Sequence, residues 1–524
     1  MAAAVTSVHR RVVFASSLGT VFEWFDFYLY GTLAVFFGTL FFPPGNETAA
    51  FLASLATFGA GFAVRPLGAL VFGRIGDLIG RKYTFLITIV VMGLSTALVG
   101  VLPTYEKIGI WAPILLVSLR LAQGLALGGE YGGAATYVAE HAPLDRRGYY
   151  TSWIQTTATL GFFLSLAVIL ACRLGFGDET FREWGWRVPF LISVILLGIS
   201  VYIRLKLQES PIFAEMKAQG RLSRAPLAES FGQWRNLKVV LLALFGATAG
   251  QGVVWYTGQF YALFFLQNTL KVEFRLSYIL IAVALLIGTP FFIFFGRLSD
   301  RVGRKRIMVA GCLLAALTYI PIFHGLTYFA NPALVEFEER AAITVAARDC
   351  HFNIFARPVT GCDRARDFLT KAGLSYEMLP NAGGDDVVTR IAGRDLVGFD
   401  EAGYRAALDA AGYPPAADPE RINEPMIVLL LTVLMLYVTM VYGPIAAFLV
   451  ELFPTRIRYS SMSLPYHIGN GWFGGFLPFI AAALVVKSGN IYYGLWYPIV
   501  VAAMTAIIGG IFIQDRREAD LRAE

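Results

Sequence analysis

Gly73-Arg-Ile-Gly-Asp77-Leu-Ile-Gly80-Arg81-Lys82 follows one apolar stretch of the chain, and Gly296-Arg-Leu-Ser-Asp300-Arg-Val-Gly303-Arg304-Lys305 follows another. The two copies match at an offset of 223 residues. A second pair of segments, Glu140-His-Ala-Pro143 and Glu451-Leu-Phe-Pro454, matches at an offset of 311 residues. Repetition on this scale predicts two similar halves in parallel. The difference between the offsets means that the second half carries about 88 extra residues.

The composition of the chain is too apolar for a soluble protein. Of its 524 residues, 56% are hydrophobic and 15% are charged, and the mean hydropathy is +0.60. Soluble domains average about 25% charged residues, so a soluble enzyme, a disordered scaffold and a disulfide-rich secreted module are excluded. The net charge of +6 does not imply a nucleic-acid partner, because membrane proteins carry such an excess in their cytoplasmic loops.

Apolar stretches long enough to span a lipid bilayer, about 20 residues each, recur twelve times along the chain. They lie at 13–38, 51–72, 84–102, 110–138, 150–172, 187–207, 239–267, 276–295, 307–329, 425–450, 461–486 and 492–514. We therefore predict an all-α membrane protein with twelve transmembrane helices in two six-helix halves. The predicted units are an N-terminal half (1–208), a cytoplasmic central loop (209–238), helices 7–9 (239–330), an insertion (331–424), and helices 10–12 with a cytoplasmic tail (425–524).

The positions of Lys and Arg predict the orientation of these helices. With the N-terminus in the cytoplasm, the inner segments hold 24 basic residues and the short outer loops hold six. Because short cytoplasmic loops are enriched in Lys and Arg, we expect both termini to be cytoplasmic. The segment before Val13 lacks a cleavable signal pattern, so we expect the first span to be retained.

The extra residues of the second half form a polar stretch, 331–424, between spans 9 and 10. In the predicted orientation this insertion is extracytoplasmic. A strand-like run over 342–347 and helical patterns over 363–372 and 401–411 predict a small α+β unit. Cys350 and Cys362 are candidates for a disulfide in an oxidising exterior, and two free thiols are the alternative.

Several motifs resemble those of the major facilitator superfamily. Besides the repeated Gly-x-x-x-Asp motif, they are Glu23-Trp-Phe-Asp26-Phe-Tyr, Arg65-Pro-Leu-Gly, Arg120-Leu-Ala-Gln123-Gly124, Gly128-Gly129-Glu130-Tyr, Trp184-Gly-Trp-Arg187-Val-Pro-Phe and Glu209-Ser-Pro-Ile-Phe213. Together they are similar to the metabolite:proton symporter branch, with its permeases for α-ketoglutarate, shikimate, citrate, proline and glycine betaine, and haloacetate or acetate. The resemblance covers the chain except the insertion. We expect a monomeric transporter of the bacterial cytoplasmic membrane, without enzymatic activity, cofactor or metal.

Ionisable residues inside spans are costly and are therefore functional candidates. Asp26, Glu23 and Glu130 are candidates for proton coupling, and Arg65 and Arg120 for binding a substrate carboxylate. Burial raises the proton affinity of a carboxylate and a nearby Arg lowers it, so an anionic substrate that draws an Arg away would promote protonation. The alternative is that Glu23–Arg65 and Glu130–Arg120 are static structural ion pairs.

Spans 7–9 and 11–12 contain no acidic residue and offer neutral polar and aromatic side chains instead. From these and from span 5 we select four groups as candidates for substrate binding: Gln155, the pair Tyr256 and Gln259, Tyr466, and Asn470. Further candidates for shaping the site are Gln251, Trp255, Tyr442 and His467. Ordinary helix packing is the alternative for each residue, and His467 is equally compatible with a structural hydrogen bond.

The repeated motifs predict a gate at the cytoplasmic ends of the helices. Its candidate residues are Gly73, Asp77, Gly80, Arg81, Asp300, Arg304, Glu140 and Glu451. A carboxylate in such a turn can accept hydrogen bonds from Arg81 or from a helix N-terminus of the facing half, which would close the cytoplasmic side. The alternative is a basic anchor at the membrane surface.

The favoured function is secondary active transport, the symport of a proton with a small carboxylate-bearing metabolite, either an organic acid or a zwitterion, by alternating access. One alternative is an uncoupled facilitator of a sugar or another neutral solute. Another is a receptor-like or enzymatic role of the insertion. The expected partners are the solute, the proton and the lipid bilayer.

Overall fold

The computed structural model describes residues 2–44, 47–79, 81–129, 131, 135–136, 138–139, 142–205, 226–348, 350, 358–380, 386–454 and 457–515. Side chains are described over these ranges except at 2–16, 47, 73–79, 81–85, 144, 204, 226 and 459. Three candidates of the sequence, Gly80, Glu130 and Glu140, lie outside the described residues. Gly73, Asp77 and Arg81 are described by their backbone alone.

The first half consists of helices joined by short connections. They are α1 (Ala2–Thr32), α2 (Ala34–Phe41), α3 (Glu47–Ala63), α4 (Arg65–Ile79), α5 (Arg81–Val101), α6 (Tyr105–Ile108), α7 (Trp111–Gly128), α8 (Arg147–Phe176) and α9 (Arg187–Leu205). A 3-10 turn, Leu144–Arg146, precedes α8, and the turns Asp178–Thr180 and Phe181–Gly185 precede α9.

The second half begins after a short helix, α10 (Pro226–Phe231). Its helices before the insertion are α11 (Trp234–Ala243), α12 (Ala249–Tyr256), α13 (Phe274–Gly288), α14 (Pro290–Val302) and α15 (Arg304–Ala330). Three π-helical turns, Leu244–Thr248, Thr257–Tyr261 and Phe265–Thr269, and the short turn Ala262–Phe264 continue the segment that contains α11 and α12.

The insertion is an α+β unit that begins with α16 (Pro332–Arg340). It continues with β1 (Ile343–Ala347), α17 (Gly361–Lys371), β2 (Glu377–Pro380), β3 (Val388–Ile391), β4 (Arg394–Val397) and α18 (Glu401–Ala410). The chain then returns to the bundle as α19 (Glu424–Tyr442), α20 (Ile445–Leu452), α21 (Arg458–Ile468), the π-helical turn Gly469–Gly475, α22 (Leu477–Ser488), the turn Tyr493–Leu495 and α23 (Trp496–Phe512).

Nine helical segments of the described chain are long and apolar enough to cross a membrane, or up to eleven if each of two bent pairs counts as one span. The bent pairs are α1–α2, which turns by 61°, and the turn before α9 with α9 itself, which turns by 60°. The predicted span 84–102 overlaps a shorter apolar helix, Leu86–Val101. Large apolar side chains on the outside of the bundle, such as Ile195 (65% exposed) and Leu317 (67% exposed), suit contact with lipid.

The insertion is built on a mixed four-stranded sheet in the order β2-β1-β3-β4. Strands β1 and β2 are parallel and joined through α17, whereas β3 pairs antiparallel with both β1 and β4. Ala392 and Gly393, at φ 48° and 81°, form the tight turn between β3 and β4, in which two residues with positive φ match the twist of the strands. A disulfide joins Cys350 to Cys362 at the start of α17.

The backbone geometry explains why two positions of the second repeated motif, Gly303 and Gly296, are glycines. Gly303 has a φ of 108°, a conformation that side chains disfavour, and it separates α14 from α15. Gly296 lies where α14 crosses α8, opposite Gly148. A Cβ on Gly148 would lie 2.5 Å from the carbonyl oxygen of Gly296, so the glycines allow the two halves to approach closely at this point.

Candidate functional site

Two buried arginines of the first half lie against the same aromatic ring. The guanidinium carbons of Arg65 and Arg120 are 4.6 Å and 4.2 Å from the ring centroid of Phe27. Arg65 also lies 4.0 Å from the centroid of Phe62, and Arg120 lies 4.8 Å from that of Tyr30. Both arginines are 0% exposed, so cation–π contacts provide part of their stabilisation.

The hydrogen-bonding capacity of these two arginines is only partly used. Nη1 of Arg120 donates to the carbonyl oxygen of Phe27 (3.1 Å) and to Oε1 of Gln123 (2.6 Å). Within the described part of the chain, Nε and Nη2 of both arginines are buried without a hydrogen-bond partner. Glu23 and Arg65 are both described and form no ion pair with each other. Buried cations with unfilled donors favour a bound anion.

Asp26 lies beside the arginine cluster in sequence, directly before Phe27. It is 4% exposed, and its Oδ1 accepts a hydrogen bond of 2.5 Å from the hydroxyl of Ser193 in α9. This bond joins the first and the last helix of the first half. A buried carboxylate whose neighbour is a neutral hydroxyl can exchange a proton without breaking a structural ion pair.

Aromatic rings of the two halves meet next to Arg65. Tyr28 stacks on Trp255 with 5.2 Å between the centroids, and Phe62 meets Tyr256 edge to face at 5.1 Å. Because Phe62 also lies under the Arg65 guanidinium, a displacement of Tyr256 would change the surroundings of the charge. The structure thus brings the candidates Arg65 and Tyr256 together through one shared ring.

A second group of residues crosses between the halves through two stacked tyrosines. The rings of Tyr131 and Tyr466 are 3.6 Å apart and nearly parallel. Gln155 donates to the Tyr131 hydroxyl at 2.7 Å, and the hydroxyls of Tyr442 and Tyr466 are 2.9 Å apart. Two of the predicted binding residues, Gln155 and Tyr466, are therefore linked, although they belong to different halves.

The remaining polar candidates of the second half serve more local contacts. The amides of Gln251 and Asn470 form two hydrogen bonds with each other, at 3.0 Å and 2.8 Å. Gln259 donates to the sulfur of Met435 at 3.8 Å. Gln259 and Asn470 lie in π-helical turns, which are frequently found at functional sites.

A buried ion-pair network, which we name the latch network, joins the halves at the end of the bundle that carries Asp300. It consists of Arg147, Asp300, Arg304 and Glu451. Glu451 Oε1 lies 3.0 Å from Arg147 Nη1 and 3.1 Å from Arg304 Nη2, and Asp300 Oδ1 lies 2.6 Å from Arg304 Nη1. The side chains of Arg147 and Glu451 are each 2% exposed. Each of these buried charges is therefore compensated by a partner from the other half.

Asp300 also caps a helix of the other half. Its two carboxylate oxygens accept hydrogen bonds from the backbone N–H groups of Gly148 (2.8 Å) and Tyr149 (2.9 Å) at the start of α8. A carboxylate is stabilised at a helix N-terminus by these donors and by the helix dipole. The sequence left two kinds of partner open for such an aspartate, Arg81 or a helix N-terminus of the facing half. Asp300 binds the helix N-terminus.

The sequence did not predict Ser193, Tyr131 or Arg147 as parts of these groups. Ser193 has a signal in hindsight, since it is a polar residue inside an apolar span. Arg147 has a weaker one, because it follows the segment that matches Glu451-Leu-Phe-Pro454. In the described residues no group of three or more His, Cys, Asp or Glu side chains is placed to hold a metal ion.

Comparison with known proteins places this geometry in a family. Residues 12–238 match the family described as sugar (and other) transporter. The chain is 38% identical over 326 residues to the proline/betaine transporter of Salmonella typhimurium (60% of this chain, 64% of that protein). It is 35% identical over 329 residues to the alpha-ketoglutarate permease of Escherichia coli (62% of this chain, 74% of that protein). The first alignment therefore spans less than two thirds of that relative.

The fold also matches a solved transporter. The partially occluded, inward-open xylose transporter XylE from E. coli has a TM-score of 0.64 at 15% identity, covering 98% of this chain and all of that one. At this identity the likeness shows the fold alone. With the relatives above, the resemblance read from the motifs is confirmed: the chain belongs to the major facilitator superfamily, in the branch of small-metabolite permeases. It is a multi-pass membrane protein, and the relatives above are transporters.

Proposed function

We propose that this protein couples the entry of a proton to the entry of a small carboxylate-bearing metabolite, an organic acid or a zwitterion. In this proposal twelve helices cross the bacterial cytoplasmic membrane, both termini and the latch network are cytoplasmic, and the insertion is extracytoplasmic. The two arginines that share Phe27 carry the proposal. Two relatives, a proline/betaine transporter and an alpha-ketoglutarate permease, are in keeping with a carboxylate-bearing solute.

The substrate carboxylate fits the unfilled donors of Arg65 and Arg120. A guanidinium offers paired N–H donors that match the two oxygens of a carboxylate. Both side chains are fully buried, and no carboxylate of the described residues forms an ion pair with them. An anion that enters therefore supplies their countercharge. Tyr256 of the second half contacts Phe62 beside Arg65. A change at Arg65 on solute binding can therefore move Tyr256 through Phe62.

Proton coupling follows from the same charges. The positive charge of the arginine cluster would favour the ionised form of a carboxylate close to it, and a bound substrate anion would cancel part of that charge; we assign this role to Asp26, the buried carboxylate directly before Phe27 in the sequence. Binding of the solute therefore raises the proton affinity of Asp26. By linkage, protonation of Asp26 raises the affinity for the solute by the same factor, so both enter together.

The latch network gives alternating access its closed side. In this conformation Asp300 and Glu451 of the second half are bonded to α8 of the first half, and Arg304 joins these two carboxylates. Opening this end requires Arg147 to leave Glu451 and the α8 N-terminus to leave Asp300. The state described here is thus closed at the proposed cytoplasmic side.

A counterflow screen in proteoliposomes tests the substrate class. Labelled α-ketoglutarate, shikimate, proline, glycine betaine and xylose are offered to vesicles preloaded with the same unlabelled compound. We expect accumulation of at least one carboxylate-bearing compound and none of xylose. Accumulation of xylose alone would instead support an uncoupled sugar facilitator.

Two variants test the assigned roles. We expect Arg65→Gln to raise the KM for the accepted solute by about 10- to 100-fold, because hydrogen bonds to charged groups contribute roughly 1.5–3 kcal/mol each. Asp26→Asn should keep counterflow but lose accumulation driven by a proton gradient. Glu106→Gln, which removes an exposed carboxylate, is the control. Gradient-driven accumulation by Asp26→Asn that a protonophore still abolishes would exclude Asp26 as the coupling residue.

A further inference from the structure

A partly open space lies between the halves, at the end of the bundle that carries the insertion. Its volume is about 270 Å³. Val35 and Phe51 of the first half line it together with Phe264 of the second half, whose ring meets that of Phe51 edge to face. Thr370 and Leu374 of the insertion form its roof. It is separate from the arginine cluster, because none of its lining residues belongs to the Arg65, Arg120 or Phe27 group.

Hydrogen bonds attach the roof to the second half. Lys271 Nζ, in the loop before α13, donates to the carbonyl oxygen of Lys371 at 2.6 Å. The Tyr376 N–H donates to the Gly489 carbonyl at 2.8 Å, and Arg366 Nη2 donates to the Lys487 carbonyl at 2.9 Å. Because of these bonds, the roof will move with the second half when the halves separate, which opens the space towards the first half.

The lining of this space is suited to an anion. Lys271 and Lys371 line it, and no acidic residue does so among the described residues, although Lys371 Nζ is paired with Asp367 Oδ2 at 3.0 Å outside the lining. Asn268 also lines it, and its Nδ2 is buried without a hydrogen-bond partner in the described part of the chain. An unfilled amide donor beside the Lys271 ammonium group is chemistry that suits a carboxylate, and the apolar side chains around them suit a short carbon skeleton.

We infer that this space is a second binding site for the carboxylate-bearing solute, roofed by residues 370–374 of the insertion and distinct from the site at Arg65. The carboxylate contacts Lys271 and Asn268, and the carbon body packs against the edge-to-face pair Phe51 and Phe264. Its volume of about 270 Å³ suits a small metabolite. The inference rests on the proposed function, because the same solute occupies both sites.

Equilibrium binding to the purified full-length protein tests it. Labelled α-ketoglutarate, shikimate, proline and glycine betaine are used as probes in a scintillation proximity assay. We expect two molecules of the accepted probe to bind per wild-type protein. Lys271→Met and Asn268→Leu should each weaken one of the two sites by about tenfold or more, whereas Arg65→Gln should weaken the other.

Two further variants control for charge and folding. Lys271→Arg keeps the cation and should retain most of the affinity of the second site. Lys107→Met removes an exposed lysine of α6 and should keep both sites. Thermal stability of each variant in detergent shows whether lost binding reflects unfolding.

The outcomes separate the two proposals. A single site that Arg65→Gln abolishes and Lys271→Met does not affect would overturn the second site and leave the proposed function intact. Two sites that both survive Lys271→Met and Asn268→Leu would also overturn it. If none of the four probes binds and none shows counterflow, the proposed function fails and the second site falls with it.

Discussion

The two ends of the helical bundle are closed by different physical means. At the Asp300 end, Arg147 and Glu451 meet across the halves with side chains that are each 2% exposed. At the insertion end, the corresponding ion pair joins Arg275 to Asp178 at 3.7 Å, with side chains 40% and 46% exposed. Removing one partner of a buried ion pair costs about 3–5 kcal/mol, whereas exposed pairs contribute roughly 0–1 kcal/mol. The Asp300 end is thus the firmly closed one.

This difference has a consequence for transport. An end held by compensated buried charges opens only when the network separates as a unit, while an end held by packing and a few hydrogen bonds can open in smaller steps. The space under the insertion lies at the insertion end, which is held by packing and a few hydrogen bonds. Variants that weaken each end should therefore shift the balance of conformations by different amounts.

The largest effect is expected from Glu451→Gln in the latch network. The change leaves Arg147 and Arg304 buried without their shared carboxylate. The Asp300 end should open, and a cysteine in place of the buried Ser152, in a Cys172→Ser/Cys312→Ala background, should react with an impermeant maleimide more than about tenfold faster. Transport should fall, because the carrier returns less often to the state closed at this end.

The matched control for this prediction is Asp145→Asn, whose carboxylate lies near the same end but is 76% exposed. It should leave the labelling of the cysteine introduced by Ser152→Cys unchanged. Equal labelling rates for Glu451→Gln and the parent would mean that the network does not hold the halves together.

A smaller effect is expected from Tyr278→Phe at the insertion end. The Tyr278 hydroxyl donates to the carbonyl oxygen of Thr32 at 2.7 Å and so links α13 to α1 across the halves. Loss of one such bond costs about 0.5–1.5 kcal/mol, so a cysteine in place of the cavity-lining Leu55 should be labelled roughly 2- to 10-fold faster. Tyr328→Phe, at an exposed position, is the control. An increase as large as that of Glu451→Gln would erase the difference between the ends.

The sequence predicts much of the Asp300 end because its motif is repeated. The tight turn at Gly303 and the carboxylate of Asp300 both follow from the motif. The partner Arg147 does not follow, since it lies 304 residues from Glu451 and no periodicity links positions in different halves. The same reason hides the bond from Ser193 to Asp26, which are 167 residues apart.

The sequence predicts less of the insertion end. Helical and strand patterns indicate the positions of β1, α17 and α18, but they do not indicate where the unit docks. Docking depends on single backbone contacts, such as that of Tyr376 with Gly489. The π-helical turn Gly469–Gly475 has a compositional signal in its glycines, yet only the structure shows that it turns Asn470 towards Gln251.

The smallest effect is expected from Glu338→Gln, which tests the charge balance within the insertion itself. Burial raises the pKa of Glu338, and the backbone N–H of Ser375, which donates to its carboxylate at 3.1 Å, opposes this only in part. Because its pKa is higher in the folded state than in the unfolded state, the ionised residue lowers stability above its folded pKa, and this cost vanishes below its unfolded pKa.

Gln keeps an acceptor for Ser375 and carries no charge. Thermal unfolding followed in the insertion should therefore show a gain of about 2 °C for the variant at pH 7.5, and no gain near pH 4. An equal gain at both pH values would mean that Glu338 affects stability through packing and not through its charge. The insertion end and the latch network would then not differ in how well their carboxylates are compensated.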